Sequence, residues 1–404
     1  PEIIRLSAVI NKCREYFDVI LAHTGQNYDY NLNGVFFRDL KLADPEVYMN
    51  AVGDTLGDTM GNIIAASYNL MAEIQPDADA FAAAKTPLAT HGRLAVKGAD
   101  LVDAKGRKFQ LRGVSTHGIN WDVGYPYVNK AAFQTLRDDW GANAVRLAMY
   151  TSEYNGYCSG GNQAQLRNQI YKGVKYATEL GMYVIIDWHI LNDGNPMTQL
   201  AQAKKFFATM SNKYKNQKNV IYEICNEPNG CSWTSIKSYA TQVIKVIRKY
   251  DKKAIIVVGT PTWSQLGSDG THNEVANSPI KGYKNIMYSL HFYANEWSHN
   301  KYLPAKLDYA RKKGIAVMVT EFGMSAAGGG GGINSSYTGK WLGKLNKYNI
   351  SYFCWSLSNK NESCSLLSSK TKKTSKWKTT ELSVAGRYIR SKYRARKKAL
   401  GSKA

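Results

Sequence analysis

The sequence contains few cysteines and no long hydrophobic run. Its 404 residues include six cysteines, at positions 13, 158, 225, 231, 354 and 364. These are too sparse for a dense disulfide framework, and the absence of a CxxC pair argues against a zinc ribbon or a thioredoxin-like redox motif. No stretch approaches the roughly 18 consecutive apolar residues of a transmembrane helix, so we expect no membrane-spanning segment.

Acidic residues become scarce after the first eighty positions. Residues 1–80 carry a net charge of −7 and the remainder +29, which together make the stated +22. The last 35 residues contain 13 basic residues and one acidic residue. No zinc-finger or RNA-binding motif accompanies this basic tail, so we interpret it as a solvated helix end and expect neither a nucleic-acid nor a membrane partner.

A junction is predicted where the charge changes sign. The segment IQPDADAFAAAKTPLATHGRL (74–94) is rich in Ala, Pro, Asp and Thr and has no strong apolar period. We place a linker at 81–87, after a mostly helical segment at 1–80 and before a larger domain at 88–404.

The larger domain contains eight short β-like runs, most of them continuously apolar. They are residues 111–116, 144–150, 182–188, 220–226, 254–259, 285–293, 315–321 and 351–357. Such runs are typical of strands buried on both faces of a parallel sheet. Amphipathic helical patterns separate many of them, which predicts an α/β fold, a (β/α)₈ barrel. A doubly wound open sheet is the alternative, but no GxGxxG motif follows the first run.

Polar and aromatic residues cluster where these runs end. Active sites of such barrels lie at the carboxyl ends of the strands. The candidates, in chain order, are His117, Trp121, Arg146, Tyr150, His189, Asn226, Glu227, Trp263, His291, Tyr293, Glu321 and Trp355.

Two of these candidates, Glu227 and Glu321, are glutamates on different strands of the predicted barrel. A pair of carboxyl groups across a barrel mouth is typical of glycoside hydrolysis, in which one protonates the leaving oxygen and the other attacks or activates water. The histidines leave a zinc site as an alternative, but each strand supplies only one, without the HxH pair usual in metal-dependent barrels. We therefore expect no metal and no cofactor.

Several motifs give residues 88–395 a close resemblance to the cellulases of glycoside hydrolase family five. They include QLRGVSTHGINW, YVIIDWHIL, NVIYEICNEPNG, YSLHFYA, VTEFGMSAAG and WSLSNKNES. The resemblance implies a retaining endo-β-1,4-glucanase, with Glu227 as the acid/base and Glu321 as the nucleophile. For retention, the two carboxyls should lie about 5–5.5 Å apart.

The same resemblance implies roles for the remaining candidates. Asn226 would hold a sugar hydroxyl, Arg146 and Tyr293 would steady Glu321, and His189 and His291 would line the cleaved bond's subsite. Aromatic platforms would be Trp355, Trp121 and Trp263, with Lys360 and Glu362 as outer polar contacts. It further implies a monomer that acts on β-glucan and is secreted, although the opening PEIIRLSAVI shows no signal peptide.

The first eighty residues resemble a different family. PEIIRLSAVINKCREYFDVILAHTGQNYDYNLNGVFFRDL is similar to the beginning of non-hydrolysing UDP-N-acetylglucosamine 2-epimerases. The rest of that family's nucleotide-sugar domain is absent, so we interpret the segment as a truncated, non-functional fusion piece; an accessory helical piece docked on the barrel is the alternative.

Three other functions remain open at this point. The same fold could prefer mixed-linkage glucan, mannan or xylan. An inactive carbohydrate-binding barrel is disfavoured because both glutamates are intact, and a nucleotide-sugar epimerase is disfavoured by the truncation.

Overall fold

The computed structural model describes residues 2–25, 34–74 and 86–401. It divides into two compact units, Pro1–Ala83 and Ala84–Ala404. Residues 81–85 of the predicted linker lie outside the described residues, and so do 26–29 of the HTGQNYD segment. The assignment of 1–80 as a non-functional domain stays a prediction.

The first unit is mainly helical in its described part. Its helices are Glu2–Arg14, Gly34–Asp39 and Leu56–Ile74. Two short strands, β1 (Ala22–His23) and β2 (Val47–Tyr48), pair in parallel.

The second unit is a closed barrel of eight parallel strands, which confirms the predicted (β/α)₈ fold. A β-hairpin precedes it, formed by β3 (Ala95–Lys97) and β4 (Asp100–Val102). The barrel strands are β5 (Arg112–Thr116), β6 (Ala144–Tyr150), β7 (Tyr183–His189), β8 (Val220–Glu223), β9 (Ile255–Val258), β10 (Ile286–Tyr293), β11 (Val317–Gly323) and β12 (Tyr352–Leu357). Each pairs with the next along the chain, and β12 closes the barrel on β5.

Helices follow the strands around the outside of the barrel. After the short Pro87–His91 helix they are Lys130–Thr135 (continued by a π-helical turn, Leu136–Trp140), Gln163–Glu179, Leu200–Tyr214, Trp233–Tyr250, Glu274–Asn277, Trp297–Lys312, Ser335–Tyr348 and Val384–Leu400. Several begin with a side-chain oxygen that accepts a backbone N–H of the first turn, from Asn129, Asn162, Ser232, Asn334 and Ser383. These caps satisfy donors that have no partner within the helix. From Val384 to Leu400, the basic tail forms the final helix.

Two apolar cores leave only one end of the barrel open for chemistry. One core lies between the sheet and the helices and includes Trp140, Trp188 and Phe207. The other joins inward-facing strand residues such as Ile185 and Phe353 to residues of the preceding segment such as Leu94 and Phe109. This second core fills the amino-terminal end of the strands, so the functional residues lie at the carboxyl ends.

Within residues 2–25, 34–74 and 86–401, every helix is too short or too polar to cross a bilayer.

Candidate active site

A fully buried arginine organises the site. Arg146 Nε lies 2.7 Å from Glu223 Oε2, and its Nη1 lies 3.0 Å from Glu321 Oε2. Its Nη2 lies 3.0 Å from Asp187 Oδ2 and donates to Asn226 Oδ1 at 2.6 Å. Burial by itself lowers the pKa of Arg146, but the three carboxylates outweigh it and raise that pKa. Its ion pairs thus connect β6 to β7, β8 and β11.

Glu321 lies on β11 and is held from two sides. Besides Arg146, the hydroxyl of Tyr293 donates to its Oε1 at 2.8 Å. The residue is only 4% exposed. The guanidinium engages one carboxylate oxygen and the phenol engages the other, so the orientation of the Glu321 side chain is fixed.

Glu227 lies on a loop. The strand predicted over 220–226 ends at Glu223, so Glu227 follows it by four residues. Its side chain is 13% exposed, and its Oε1 lies 2.8 Å from His291 Nδ1. A carboxylate oxygen of Glu227, one of Glu321 and a ring nitrogen of His291 all lie within 4.8 Å of one another.

His291 connects Glu227 to a buried hydrogen-bond network. Its Nε2 lies 2.8 Å from the hydroxyl of Thr320, which donates to Glu223 Oε1 at 2.5 Å. Burial alone lowers the pKa of His291, but the nearby carboxylates of Glu223 and Glu227 raise it to about 9. Near neutral pH the imidazole is therefore charged, and both of its nitrogens donate.

The raised pKa of His291 predicts a pH-dependent stability. Its charged form stabilises the fold fully below pH 6.5, its ordinary pKa, and this contribution disappears as the pH rises through about 9. The parent should have a higher free energy of unfolding than His291→Gln at pH 6, and this difference should shrink by roughly 3 kcal/mol between pH 6 and 9.5. Urea denaturation across that range measures it, and a constant difference between the two proteins contradicts it.

His189 is held in the opposite protonation state. Burial lowers its pKa to about 3, so it is neutral near pH 7. Its Nδ1 donates to Asp187 Oδ2 at 2.6 Å, which leaves Nε2 as an acceptor 3.4 Å from Asn226 Nδ2. Asn226 also donates to the carbonyl of Ile190 at 3.1 Å. These contacts orient the amide beside Arg146.

Aromatic rings pack around these polar groups. Trp355 stacks on His189 with ring centroids 5.1 Å apart. Tyr150 lies 4.1 Å from His189 and 4.5 Å from Trp121. His117 lies 5.2 Å from Trp355, and burial lowers its pKa to about 4. The structure therefore brings these five predicted residues into one contiguous group.

The outer candidates lie at the edge of this group. Lys360 Nζ pairs with Glu362 Oε2 at 2.6 Å, and Glu362 Oε1 lies 3.7 Å from His117 Nε2.

Trp263 is 44% exposed and stands on a turn in which three consecutive non-glycine residues have positive φ, residues 262–264. Its N–H donates to Pro228 O at 3.1 Å, and Ser264 Oγ donates to Asn226 O at 2.6 Å. These bonds attach the turn to the loop that carries Glu227 and hold an otherwise unfavourable conformation.

The sequence reasoning missed the buried residues beneath the site. Glu223, Asp187, Ser289 and Thr320 are all fully buried, and each contacts Arg146, a predicted histidine or one another. Burial alone raises the pKa of Glu223, but Arg146 and His291 outweigh it and lower that pKa to about 2. The sequence did contain a signal for Asp187 and Glu223, because each is an acidic residue inside an apolar run that is predicted to be buried on both faces. Burying a charge costs free energy unless the charge is paired.

Glu227, His291 and Glu321 also have the residue types of a metal site. Both ring nitrogens of His291 are engaged, one by Glu227 and one by Thr320. A metal would require His291 to lose its proton and one of these partners. The geometry fits hydrogen-bonded acid/base groups better than a metal centre.

Comparison with known proteins identifies the family. The model of the cellulase family, glycosyl hydrolase family 5, matches residues 102–361. The chain belongs to glycosyl hydrolase family 5. This match confirms the resemblance inferred from the motifs.

Curated members of glycosyl hydrolase family 5 are similar over the barrel. Endoglucanase 5 of Pectobacterium carotovorum subsp. carotovorum is 42% identical over 312 residues, which cover 77% of this chain and 59% of that protein. Endoglucanase A of Butyrivibrio fibrisolvens is 44% identical over 304 residues, which cover 74% of this chain and 68% of that protein. The chain thus spans about three fifths to two thirds of the length of these relatives.

A solved family 5 structure also matches the fold. The catalytic domain of Thermobifida fusca endoglucanase in complex with cellotetraose has a TM-score of 0.72 and 35% identity, covering 76% of this chain and 99% of that chain. A second family model, UDP-N-acetylglucosamine 2-epimerase, matches residues 11–79.

Proposed function

We propose that the protein is an endo-β-1,4-glucanase that cleaves internal bonds of cellulose-like β-glucans with retention of configuration. The observation that carries this proposal is the pair of carboxylate oxygens of Glu227 and Glu321 within 4.8 Å. This spacing leaves no room for a water molecule between carboxylate and sugar, as an inverting mechanism needs at about 6.5–9.5 Å. The relatives' endoglucanase activity and the cellotetraose complex of a similar structure support the substrate.

The two glutamates take different roles in this proposal. Glu321, oriented by Arg146 and Tyr293, attacks the anomeric carbon while Glu227 gives its proton to the leaving glycosidic oxygen. The carbon–oxygen bond breaks and a glycosyl ester forms on Glu321. Glu227 then takes a proton from water, whose oxygen attacks the same carbon and releases Glu321.

The surrounding residues position the sugar and the carboxylates. Neutral His189 and the Asn226 amide offer hydrogen bonds to hydroxyl groups, and charged His291 orients Glu227. Trp355, Trp121 and Trp263 offer ring faces to the C–H faces of glucose units.

A substrate panel tests the proposal. We expect reducing ends to be released from carboxymethyl cellulose faster than from mannan or xylan, and the newly formed ends to appear first as the β-anomer by proton NMR. An α-anomer as the first product overturns retention. Preferential hydrolysis of mannan, xylan or mixed-linkage glucan reassigns the substrate within the same fold.

We further propose that the protein acts outside the cell, because its polymeric substrate does not enter cells, and that it works as a monomer without cofactor or metal. Residues 1–80 take no part in catalysis in this proposal. Every site residue named above, from His117 to Glu362, belongs to the second unit.

A further inference from the structure

A groove of about 870 Å³ lies on the outer surface of the barrel. One wall comes from the segment after β5, and the other from the Gln163–Glu179 helix, from its cap Asn162 to Lys175. Its principal lining residues are Tyr125, Pro126, Gln165, Asn168, Gln169 and Tyr171. The volume is within the roughly 300–1,000 Å³ of small-molecule sites, and none of the candidate active-site residues lines the groove.

The lining combines ring faces with amide groups. Tyr125 is 44% exposed and adjoins Pro126, so this wall offers an apolar ledge. Across from it, Gln165 and Asn168 are exposed amides. An apolar ledge facing amide donors and acceptors matches a pyranose ring, which has C–H faces and hydroxyl edges.

Gln169 supplies an independent indication of a ligand. Its Oε1 is buried and has no hydrogen-bond partner among the described residues. Buried acceptors are normally satisfied, and Gln169 lines the groove, so a hydroxyl group of a bound ligand would supply the missing donor once the amide turns toward it.

The groove begins beside the active-site cleft. The carbonyl of Trp121 accepts from the N–H groups of Gly124 and Tyr125, at 2.9 and 3.0 Å. Tyr125 therefore lies one turn from Trp121, which contacts Tyr150 in the cleft. On the other wall, Asn162 caps the helix at the end that follows β6, which is the carboxyl end of the barrel strands.

We propose that this groove is a second glycan-binding site, which holds a further stretch of the β-glucan chain that is cleaved in the active site. The inference rests on the proposed function for its substrate. A neutral glycan fits better than an anion, because aromatic, apolar and amide side chains form most of the lining, with Lys172 and Lys175 as its basic residues. The site increases affinity for long chains and leaves the chemical step unchanged.

The test uses one variant from each wall, Tyr125→Ala and Gln169→Ala, with Tyr250→Ala as the matched control. Tyr250 is similarly exposed, at 41%, and lies at the end of a different helix. We expect both groove variants to show at least about a fivefold lower kcat/KM on soluble polymeric glucan, equivalent to about 1 kcal/mol. Hydrolysis of an aryl β-cellobioside should be unchanged, because this substrate is too short to reach the groove.

A binding measurement separates affinity from turnover. In the Glu321→Gln background, retention on insoluble amorphous cellulose should fall by a similar factor in both groove variants and stay at parental level in the control. Equal behaviour of groove variants and control on the polymer overturns the inference. Equal losses on polymer and cellobioside also overturn it, since Tyr125 would then act through Trp121. A parent inactive on both substrates would instead refute the proposed function.

Discussion

Glu321→Ala should lower kcat on soluble β-1,4-glucan by on the order of 10⁴-fold, because the covalent step loses its nucleophile. Glu227→Ala should lower it by about 10²–10⁴-fold on the same substrate, because protonation of the leaving oxygen is lost. The control is Glu153→Gln, since Glu153 accepts the N–H of Asn192 outside the catalytic pair. The control should keep nearly full activity.

Azide distinguishes the two roles. With an activated aryl cellobioside, azide should occupy the space left in Glu321→Ala, attack the anomeric carbon directly and yield the α-glycosyl azide. In Glu227→Ala the glycosyl ester still forms, so azide should attack it and yield the β-glycosyl azide. If the two variants give the opposite azide anomers, the roles of Glu227 and Glu321 are exchanged. An unchanged kcat in both variants refutes their assignment as the catalytic pair.

Arg146→Met should lower the free energy of unfolding by about 3–5 kcal/mol and abolish activity. It leaves the carboxylates of Asp187, Glu223 and Glu321 buried without their cation. Because uncompensated buried carboxylates take up protons more readily, the deficit should shrink as the pH falls from 7 to 4. Urea denaturation at several pH values measures both effects.

Arg112→Met is the matched control for Arg146→Met. Arg112 is also fully buried, but its Nε donates to the carbonyl of Gly141 at 3.4 Å, and no carboxylate in the described chain pairs with it. Its replacement should cost about 1–2 kcal/mol, with little dependence on acid pH. Equal losses for the two variants would mean that burial of a long side chain, and not charge compensation, explains the effect. If Arg146→Met does not fold, Glu223→Gln tests the same network by removing one charge.

His189 and His291 illustrate where sequence reasoning stopped. Both follow the same local pattern, a histidine on a buried strand, and the sequence predicted both as subsite residues. In the fold, burial keeps His189 neutral, whereas two carboxylates keep His291 charged. Their protonation differs because Glu223 and Glu227, the carboxylates beside His291, come from β8 and the loop after it, which approach β10 only in the closed barrel.

The turn at 262–264 and the short β8 illustrate a second limit. The apolar run 220–226 predicted a strand up to Asn226, but regular pairing ends at Glu223. The loop that carries Glu227 is instead organised by bonds from Trp263 and Ser264. Local propensity does not reveal such contacts, because they join segments about forty residues apart.

Sequence patterns alone predicted the eight-stranded α/β barrel, the residue types at the strand ends and the combination of two glutamates with aromatic and histidine residues. Periodicity and composition carry that information, since each depends on neighbouring residues. Other features emerged from the folded chain alone: the approach of the two glutamates to within 4.8 Å, the carboxylates around Arg146, the protonation of each histidine and the groove beside Tyr125. These features depend on distances between strands and on exclusion of water, which exist only once the barrel has closed.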